Sequence, residues 1–589
     1  ELIDQVLKAL QDKKGYTETQ AYNLLFSGGL EIHTTQDPDI QSVVDTEISN
    51  PENYDVVYYS IDYRLSIQHA DQTTTNYSDE TLKTYFRKDL GESNFDGLFT
   101  SKEKADEAIE KYRTAMTKEG DTILGESVHY VLQPQASFVL IDQSNGYVKA
   151  LSGGRGQKEV SRSLNRATNT LRQPGSTFKV ITSFAPAIDT CGATLGSVYY
   201  DAPYTMGTKT FRNWYSSKGY MGYSTIRDGI VYSMNIVAVR CMIETVTPQL
   251  GVEYARNLGI TSLTDSDYNA STALGGITKG VSNLELTDAF AAIANGGIYT
   301  KPVFFTQILD HNGKVLLENE PETKRVLKDS TAFLLTDAMA QSMESSRMFA
   351  SSGVSLNSTS AVANIPGMSN AGKSGTTTSN NDIWFVGFTP YYTAGIWSGC
   401  DDNQKISAIG SSTSYHKKIW KKIMTTIHEG LADTGFPVPS SVTTAQICRK
   451  SGKLAIPGVC DHDPRGSAVY TEYFAKGTVP TEVCDHHVQL TVCSESGGLA
   501  TEYCPEKTTR TFMVIPEGES GGTDDSKYRS PGTCTIHGSS SVVVPSDETS
   551  DENSSSQAET TQETVPETTK AAPKSPLDQV YIPIGPGYE

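Results

Sequence analysis

The chain has 589 residues, a net charge of −20 and 37% hydrophobic residues, a size and balance that suit about two to four globular domains. It holds no Lys/Arg-rich run, which argues against a nucleic-acid partner, because phosphate binding needs clustered cations. No segment reaches the about 18–20 consecutive apolar residues of a membrane span, and no signal peptide is visible.

Residues 1–30 read as helical, with apolar Leu2, Val6, Leu7 and Leu10, and stop at Gly28-Gly29. Residues 31–130 are mixed: a β-like start at Leu30 and Ile32, tyrosine-rich stretches and a charged helix around Ser101–Lys118. From Ala136 the texture changes. Ala136–Asp142 and Tyr147–Leu151 are apolar runs joined through Asn145-Gly146, a hairpin signal. Helical patterns dominate from about Ser176, the last of them (Leu286–Ala294) stopped by Asn295-Gly296-Gly297. Asp382–Phe388 and Tyr392–Trp397 read as strands. A helix with Ile419, Trp420, Ile423 and Met424 follows them. Strands at both ends of a helical middle predict an α/β sandwich over 131–435, with one sheet between helices. Trp384, Trp397 and Trp420 read as core.

After about Phe436 six cysteines crowd together: Cys448, Cys460, Cys484, Cys493, Cys504 and Cys534. An even set without C-x-x-C reads as disulfides in an oxidising, extracellular setting. Cys448-Arg-Lys-Ser-Gly-Lys-Leu-Ala455 recurs as Cys493-Ser-Glu-Ser-Gly-Gly-Leu-Ala500, each followed by another cysteine. The repeat predicts two loops, Cys448–Cys460 and Cys493–Cys504, in a Cys-rich domain over 436–536. Zinc is the alternative, carried by Cys460-Asp-His-Asp463 and Cys484-Asp-His-His487. Residues 537–589 are acidic and Ser/Thr-rich, and too poor in large apolar residues to fold.

Acyl transfer to a serine needs a nucleophile, a base in reach, a proton relay and oxyanion donors. Ser176-Thr-Phe-Lys179 supplies the first two, since residues three apart share a helix face. Ser-x-x-Lys also occurs at Ser101 and Ser414, Ser-x-Asn at Ser163, Ser233, Ser355 and Ser379, and Lys-Ser-Gly at Lys373 and Lys450. Order and context choose among them. Ser414 has no later Ser-x-Asn before Lys450, and Ser101 lies in a run of Lys and Glu that reads as a solvated helix face. Ser176, Ser233 and Lys373 remain, in the order S-x-x-K, S-x-N, K-[ST]-G of penicillin-recognising serine enzymes.

The flanks carry the likeness further. Asn165-Arg-Ala167, Arg172-Gln-Pro-Gly-Ser-Thr-Phe-Lys179, Ala273-Leu-Gly-Gly276, Phe290-Ala-Ala-Ile-Ala-Asn-Gly-Gly-Ile-Tyr299 and Gly372-Lys-Ser-Gly-Thr-Thr377 followed by Trp384-Phe-Val-Gly-Phe-Thr-Pro390 resemble class A penicillin-binding proteins. Gly29-Leu-Glu-Ile-His-Thr-Thr-Gln-Asp-Pro38 resembles their junction between glycosyltransferase and transpeptidase parts. The resemblance implies a penicillin-binding-protein/serine β-lactamase-like α/β fold over 131–435, a linker domain over 31–130, and a helical remnant over 1–30. The upstream glycosyltransferase domain and membrane anchor would be missing.

It also implies roles. Ser176 would attack the penultimate D-Ala of a stem pentapeptide, Lys179 would take its proton, and Ser233 beside Lys373 would protonate the leaving amine. Asn235 would hold the acyl-side amide and Lys179. Lys373, Ser374, Gly375, Thr376 and Thr377 would receive the terminal carboxylate, with the N–H groups of Ser176 and Thr376 as oxyanion hole. No metal or cofactor is called for in that site. The implied partners are peptidoglycan stem peptides, β-lactams and cell-wall synthesis proteins. The implied location is the extracellular face of the bacterial cytoplasmic membrane.

Three rivals stay open. A D,D-carboxypeptidase would use the same residues and pass the acyl group to water. A β-lactamase would need a deacylating base, for which only Glu253 offers itself, on a helix that reads as packing and surface. A non-catalytic wall-binding scaffold would keep the fold without the chemistry.

Overall fold

The computed structural model describes residues 1–158, 161–348, 356–515 and 522–538. The acidic tail expected to be disordered lies, beyond Gly538, outside the described residues.

The centre is a five-stranded antiparallel sheet in the order Ala371–Thr376, Asp382–Phe388, Thr393–Gly399, Gln135–Asp142, Tyr147–Ser152. Three of these strands are buried on both faces, which is why they read as continuous apolar runs and not as alternating ones. On one face lies the helix Asn283–Ala294. Its Asn283 amide donates to Ser137 O at 3.1 Å and Gly395 O at 3.2 Å, and a Cβ on Gly395 would collide with Thr287. On the other face lies Tyr415–Ile427, whose Trp420 indole donates to Ala394 O at 2.9 Å and meets Phe385 edge to face. Trp384, Trp397 and Trp420 are all buried. The α/β fold class expected from the sequence is the fold observed.

The N-terminal helical stretch is two helices, Leu2–Lys14 and Glu18–Ser27, because Gly15 takes a left-handed φ of +72° and Thr17 opens a new capping box. Gln5 ties the first helix to Pro302 O and Phe304 N. Glu31–Thr34 then pairs with Phe305–Leu309. Residues 58–133 form their own sheet, Thr74–Ser78, Tyr58–Gln68 and Thr122–Gln133, covered by the helix Lys102–Met116. Ile61, Tyr63, Leu65 and Ile67 alternate inward from one strand onto Tyr112 and Phe86.

The Cys-rich region is two hairpins of one design, Val442–Cys448 with Val469–Ala475 and His487–Cys493 with Lys507–Met513. The expected disulfides Cys448–Cys460 and Cys493–Cys504 are not formed: all nine cysteines are free. The reason is geometric. In each, a third cysteine and a histidine from the chain that follows the hairpin close onto its two sulfurs, so the groups surround a common centre instead of pairing. The first hairpin packs on the helix Asp329–Met343 of the central domain.

Candidate active site

Three segments remote in sequence meet at one end of the sheet. They are the turn Gly175–Thr177, the loop ending at Asn235, and the strand Ala371–Thr376. The turn continues into a wide helical turn over Lys179–Phe184, followed by Pro186, which has no N–H for a regular bond. Ser176 is half-buried at the top, and Lys179, three residues on, is buried beneath it.

Gly175 explains how the turn seats on the strand. Its φ is +56°, and a Cβ there would stand 2.7 Å from Thr376 O and 2.9 Å from Thr376 N. The backbones of Gly175 and Thr376 are therefore in contact, which places Ser176 beside the strand end. Gly375 makes the reciprocal approach to Pro174 O. Along the strand, Lys373 and Gly375 point to the buried side, while Ser374 and Thr376 alternate to the more open one.

The Ser233 hydroxyl stands between two amines, 2.9 Å from Lys373 Nζ and 3.2 Å from Lys179 Nζ. Ser233 has a φ of +54°, a strained value for a side chain with a Cβ and one that active sites tend to hold. Lys179 Nζ also donates to Ser233 O at 2.6 Å and Asn235 Oδ1 at 2.7 Å. Those two oxygens can only accept, and a neutral amine has two N–H groups to give, so its lone pair is left to take a proton. Burial first, and the charge of Lys373 second, hold Lys179 well below the ordinary lysine range. Burial and then Lys417 bring Lys373 down to about 7. Burial lowers Lys417 itself to about 8.

Asn235 is fixed from behind. Its Nδ2 donates to Arg212 O at 2.8 Å. Asn213 Oδ1 accepts the N–H of Asn235 at 2.8 Å and of Ile236 at 3.1 Å, closing the start of the helix Asn235–Arg240. Buried Asp201 in turn accepts from the Asn213 amide. Sequence reasoning missed Asn213, Lys417 and Trp214. Trp214 is exposed and donates its indole N–H to Tyr232 O at 3.1 Å, next to Ser233. No motif marks Asn213 or Trp214. Lys417 did lie in a noted Ser-x-x-Lys, that of Ser414, but its place near Lys373 is set by the helix on the far face of the sheet.

The structure brings Ser176, Lys179, Ser233, Asn235 and Lys373 together, with Ser374, Gly375 and Thr376 alongside on the strand. Thr377 differs. Its hydroxyl accepts the N–H groups of Asn381 at 3.2 Å and Asp382 at 3.1 Å, so it pins the turn after the strand. The competing short patterns fall elsewhere: Ser101 caps the helix Lys102–Met116, and Lys450 pairs with buried Asp525 at 2.9 Å. Glu253 is exposed on the helix Pro248–Asn257.

The penicillin-binding protein transpeptidase domain matches residues 136–425, and the C-terminal domain of penicillin-binding protein 1A matches 438–489. A penicillin-binding protein 1A of Clostridium botulinum is 30% identical over 537 residues, covering 89% of this chain and 54% of that protein. The chain thus spans about half the length of that relative. Among solved structures, penicillin-binding protein 1A of Haemophilus influenzae aligns with a TM-score of 0.55 at 19% identity, covering 82% of each chain. The PonA1 protein of Mycobacterium tuberculosis in complex with penicillin V aligns with a TM-score of 0.51 at 21% identity, covering 74% of this chain and 96% of that one. Both share the fold. With the transpeptidase-domain match lying over the three converging segments, the chain belongs to the penicillin-binding protein family.

Proposed function

We propose that the chain is a serine D,D-transpeptidase that forms an acyl-enzyme on Ser176 from a D-Ala-D-Ala stem peptide and passes the acyl group to the amine of a second stem peptide. The observation that carries the reading is the Ser233 hydroxyl held between Lys179 and Lys373. Lys179, neutral through burial, takes the Ser176 proton as Oγ bonds to the carbonyl carbon of the penultimate D-Ala. The oxyanion lies between the N–H groups of Ser176 and Thr376, on segments that Gly175 keeps in contact. The proton then moves through Ser233 to the departing amine of the terminal D-Ala. Attack by the acceptor amine reverses the sequence and frees Ser176.

Lys373, with the open hydroxyls of Ser374 and Thr376, receives the terminal carboxylate. Asn235 binds the acyl-side amide while it holds Lys179. β-Lactams carry a similar carboxylate and reactive carbonyl, and we expect them to stop at the acyl stage. The reading places the site on the outer face of the cytoplasmic membrane, working on peptidoglycan beside other cell-wall synthesis proteins. Among the described residues no helix is long and apolar enough to cross a membrane.

The test is labelling of the purified chain by a fluorescent penicillin beside Ser176→Ala, read by intact mass. The expected result is one adduct per chain that persists for many minutes and is lost in the variant. Absence of the adduct, or its retention in the variant, overturns the assignment, and rapid release would favour a β-lactamase. Mass analysis of products from a D-Ala-D-Ala peptide, with and without an acceptor amine, separates transfer from hydrolysis.

A further inference from the structure

The Cys-rich hairpins hold two groups of side chains that the acyl-transfer chemistry does not use. In the first, Cys448, Cys460, Cys484 and His487 place one ligand atom each within 4.8 Å of all the others, and all four residues are buried. In the second, Cys493, Cys504, Cys534 and His537 meet the same distance, with the three cysteines buried and His537 partly so. The sulfur-to-Nδ1 distances are 3.3 and 3.5 Å in the first group and 3.4 and 3.6 Å in the second. A tetrahedral ion with metal–sulfur bonds of about 2.3 Å and a metal–nitrogen bond of about 2.05 Å sets that separation near 3.5 Å.

The surroundings repeat as well. The other ring nitrogen of His487 lies 2.8 Å from Asp463 Oδ2, and that of His537 lies 3.2 Å from Glu495 Oε2, the carboxylate support usual behind a ligating imidazole. Backbone N–H groups point at sulfur in both, Ile456 to Cys460 and Thr501 to Cys504, each at 3.3 Å. The third cysteine is placed in both by its own N–H bond, Cys484 to Leu454 O and Cys534 to Leu499 O, each at 2.8 Å. The fourth ligand follows at one spacing, Cys484-Asp-His-His487 and Cys534-Thr-Ile-His537. Two disulfides in these six cysteines would leave a buried thiol in each group and no use for the histidines. Four-fold repetition of ligand, spacing, sulfur bond and carboxylate points to a metal.

We propose that the Cys-rich region is a pair of tandem structural zinc modules, each binding one Zn²⁺ through three cysteine thiolates and the Nδ1 of one histidine. On binding, each site loses its thiol protons to solvent, the imidazole stays neutral, and the metal with three thiolates carries a net charge of −1. Four protein ligands close the tetrahedron, so the ion holds the fold and leaves no position for substrate. The small size of each hairpin, with a core made largely of the ligands themselves, makes its folding depend on the metal.

The test is elemental analysis of the full chain purified without added reductant. It is followed by chelation in denaturant, refolding, and titration with cobalt(II). Two zinc ions per chain are expected, then two equivalents of cobalt with a thiolate-to-metal charge-transfer band. His487→Ala and His537→Ala should each lower the count by one, with the other site still filling. Alkylation without reductant should modify all six cysteines once the metal is removed. A chain with no bound zinc, no cobalt band, and cysteines that resist alkylation until reduced would be disulfide-linked, and the proposal would fall. Because metal count and thiol state are read on the unmutated chain, a variant that fails to fold does not blunt the test.

Discussion

Arg227 and Glu472 form a buried ion pair across the junction between the catalytic domain and the first Cys-rich hairpin, with Arg227 Nε 2.7 Å from Glu472 Oε2. Arg227 sits on the short helix Ile226–Val231, which ends two residues before Ser233, and Glu472 lies on the strand Val469–Ala475. The Cys-rich region thus grips the helix that leads to Ser233. Glu472→Gln should destabilise the chain by about 3–5 kcal/mol, since it leaves a buried guanidinium with only the partly exposed Asp337 as counter-charge. Denaturant unfolding reads the loss. Replacing both partners together by methionine should cost markedly less, and equal losses in the single and double variants would show that the pair is not the cause.

The pH profile of acylation should be bell-shaped. The rate needs Lys179 neutral, so it rises with pH on the acidic limb, where burial and the Lys373 charge keep the amine from holding its proton. It also needs Lys373 as an ammonium to hold the carboxylate, so it falls as pH passes about 7 in the free enzyme. Lys417→Gln removes one of the causes that lower Lys373. The alkaline limb should move to higher pH while the maximal rate changes little. A limb that stays in place in that variant would take Lys417 out of the account.

Asn213→Ala tests the support behind Asn235. The substitution strands the N–H groups of Asn235 and Ile236 and takes one of the donors of buried Asp201, at about 1–3 kcal/mol for the uncompensated groups. Acylation should slow by more than the stability loss explains, because Asn235 would no longer orient Lys179. Rates measured well below the melting temperature separate the two effects. A rate unchanged within error would make Asn213 a purely structural residue.

The parts of the site that could be read from sequence are those whose chemistry is local. Ser176 and Lys179 are one helical turn apart, and Ser233 and Asn235 share a loop, so short spacings pair them and the order and flanks of the motifs choose among the copies. Asn213 and Glu472 act over long sequence separations through a loop and a domain contact, with no pattern to mark them. The Cys-rich region shows a different failure. The repeat is visible from Cys448 and from Cys493, but counting cysteines in pairs favours disulfides, leaves Cys484-Asp-His-His487 as the alternative only, and passes over Cys534 with the histidine three residues beyond it. The unit is a set of four ligands, and Cys-x-x-His at both third cysteines is its signal. Residues 50–130 are largely opaque in the sequence because the alternation of Ile61, Tyr63, Leu65 and Ile67 runs through polar neighbours that dilute the apolar texture.

Gly175 should tolerate no side chain. A methyl group there would press on the Thr376 carbonyl and amide, both backbone and unable to swing away, and the φ of +56° already disfavours any residue but glycine. Relief requires the Gly175–Thr177 turn to lift from the strand, separating Ser176 from the Thr376 N–H. Displacements of about 1 Å at a reacting centre cost about a hundredfold in rate. Gly175→Ala should therefore lower the penicillin acylation rate by about that factor. Overall stability should fall by only about 1–3 kcal/mol, the usual size of a single strained backbone position. Stopped-flow acylation against thermal unfolding of the same variant makes the comparison. A variant that loses stability but acylates at the parent rate would mean that the turn and the strand are not held in register by this contact.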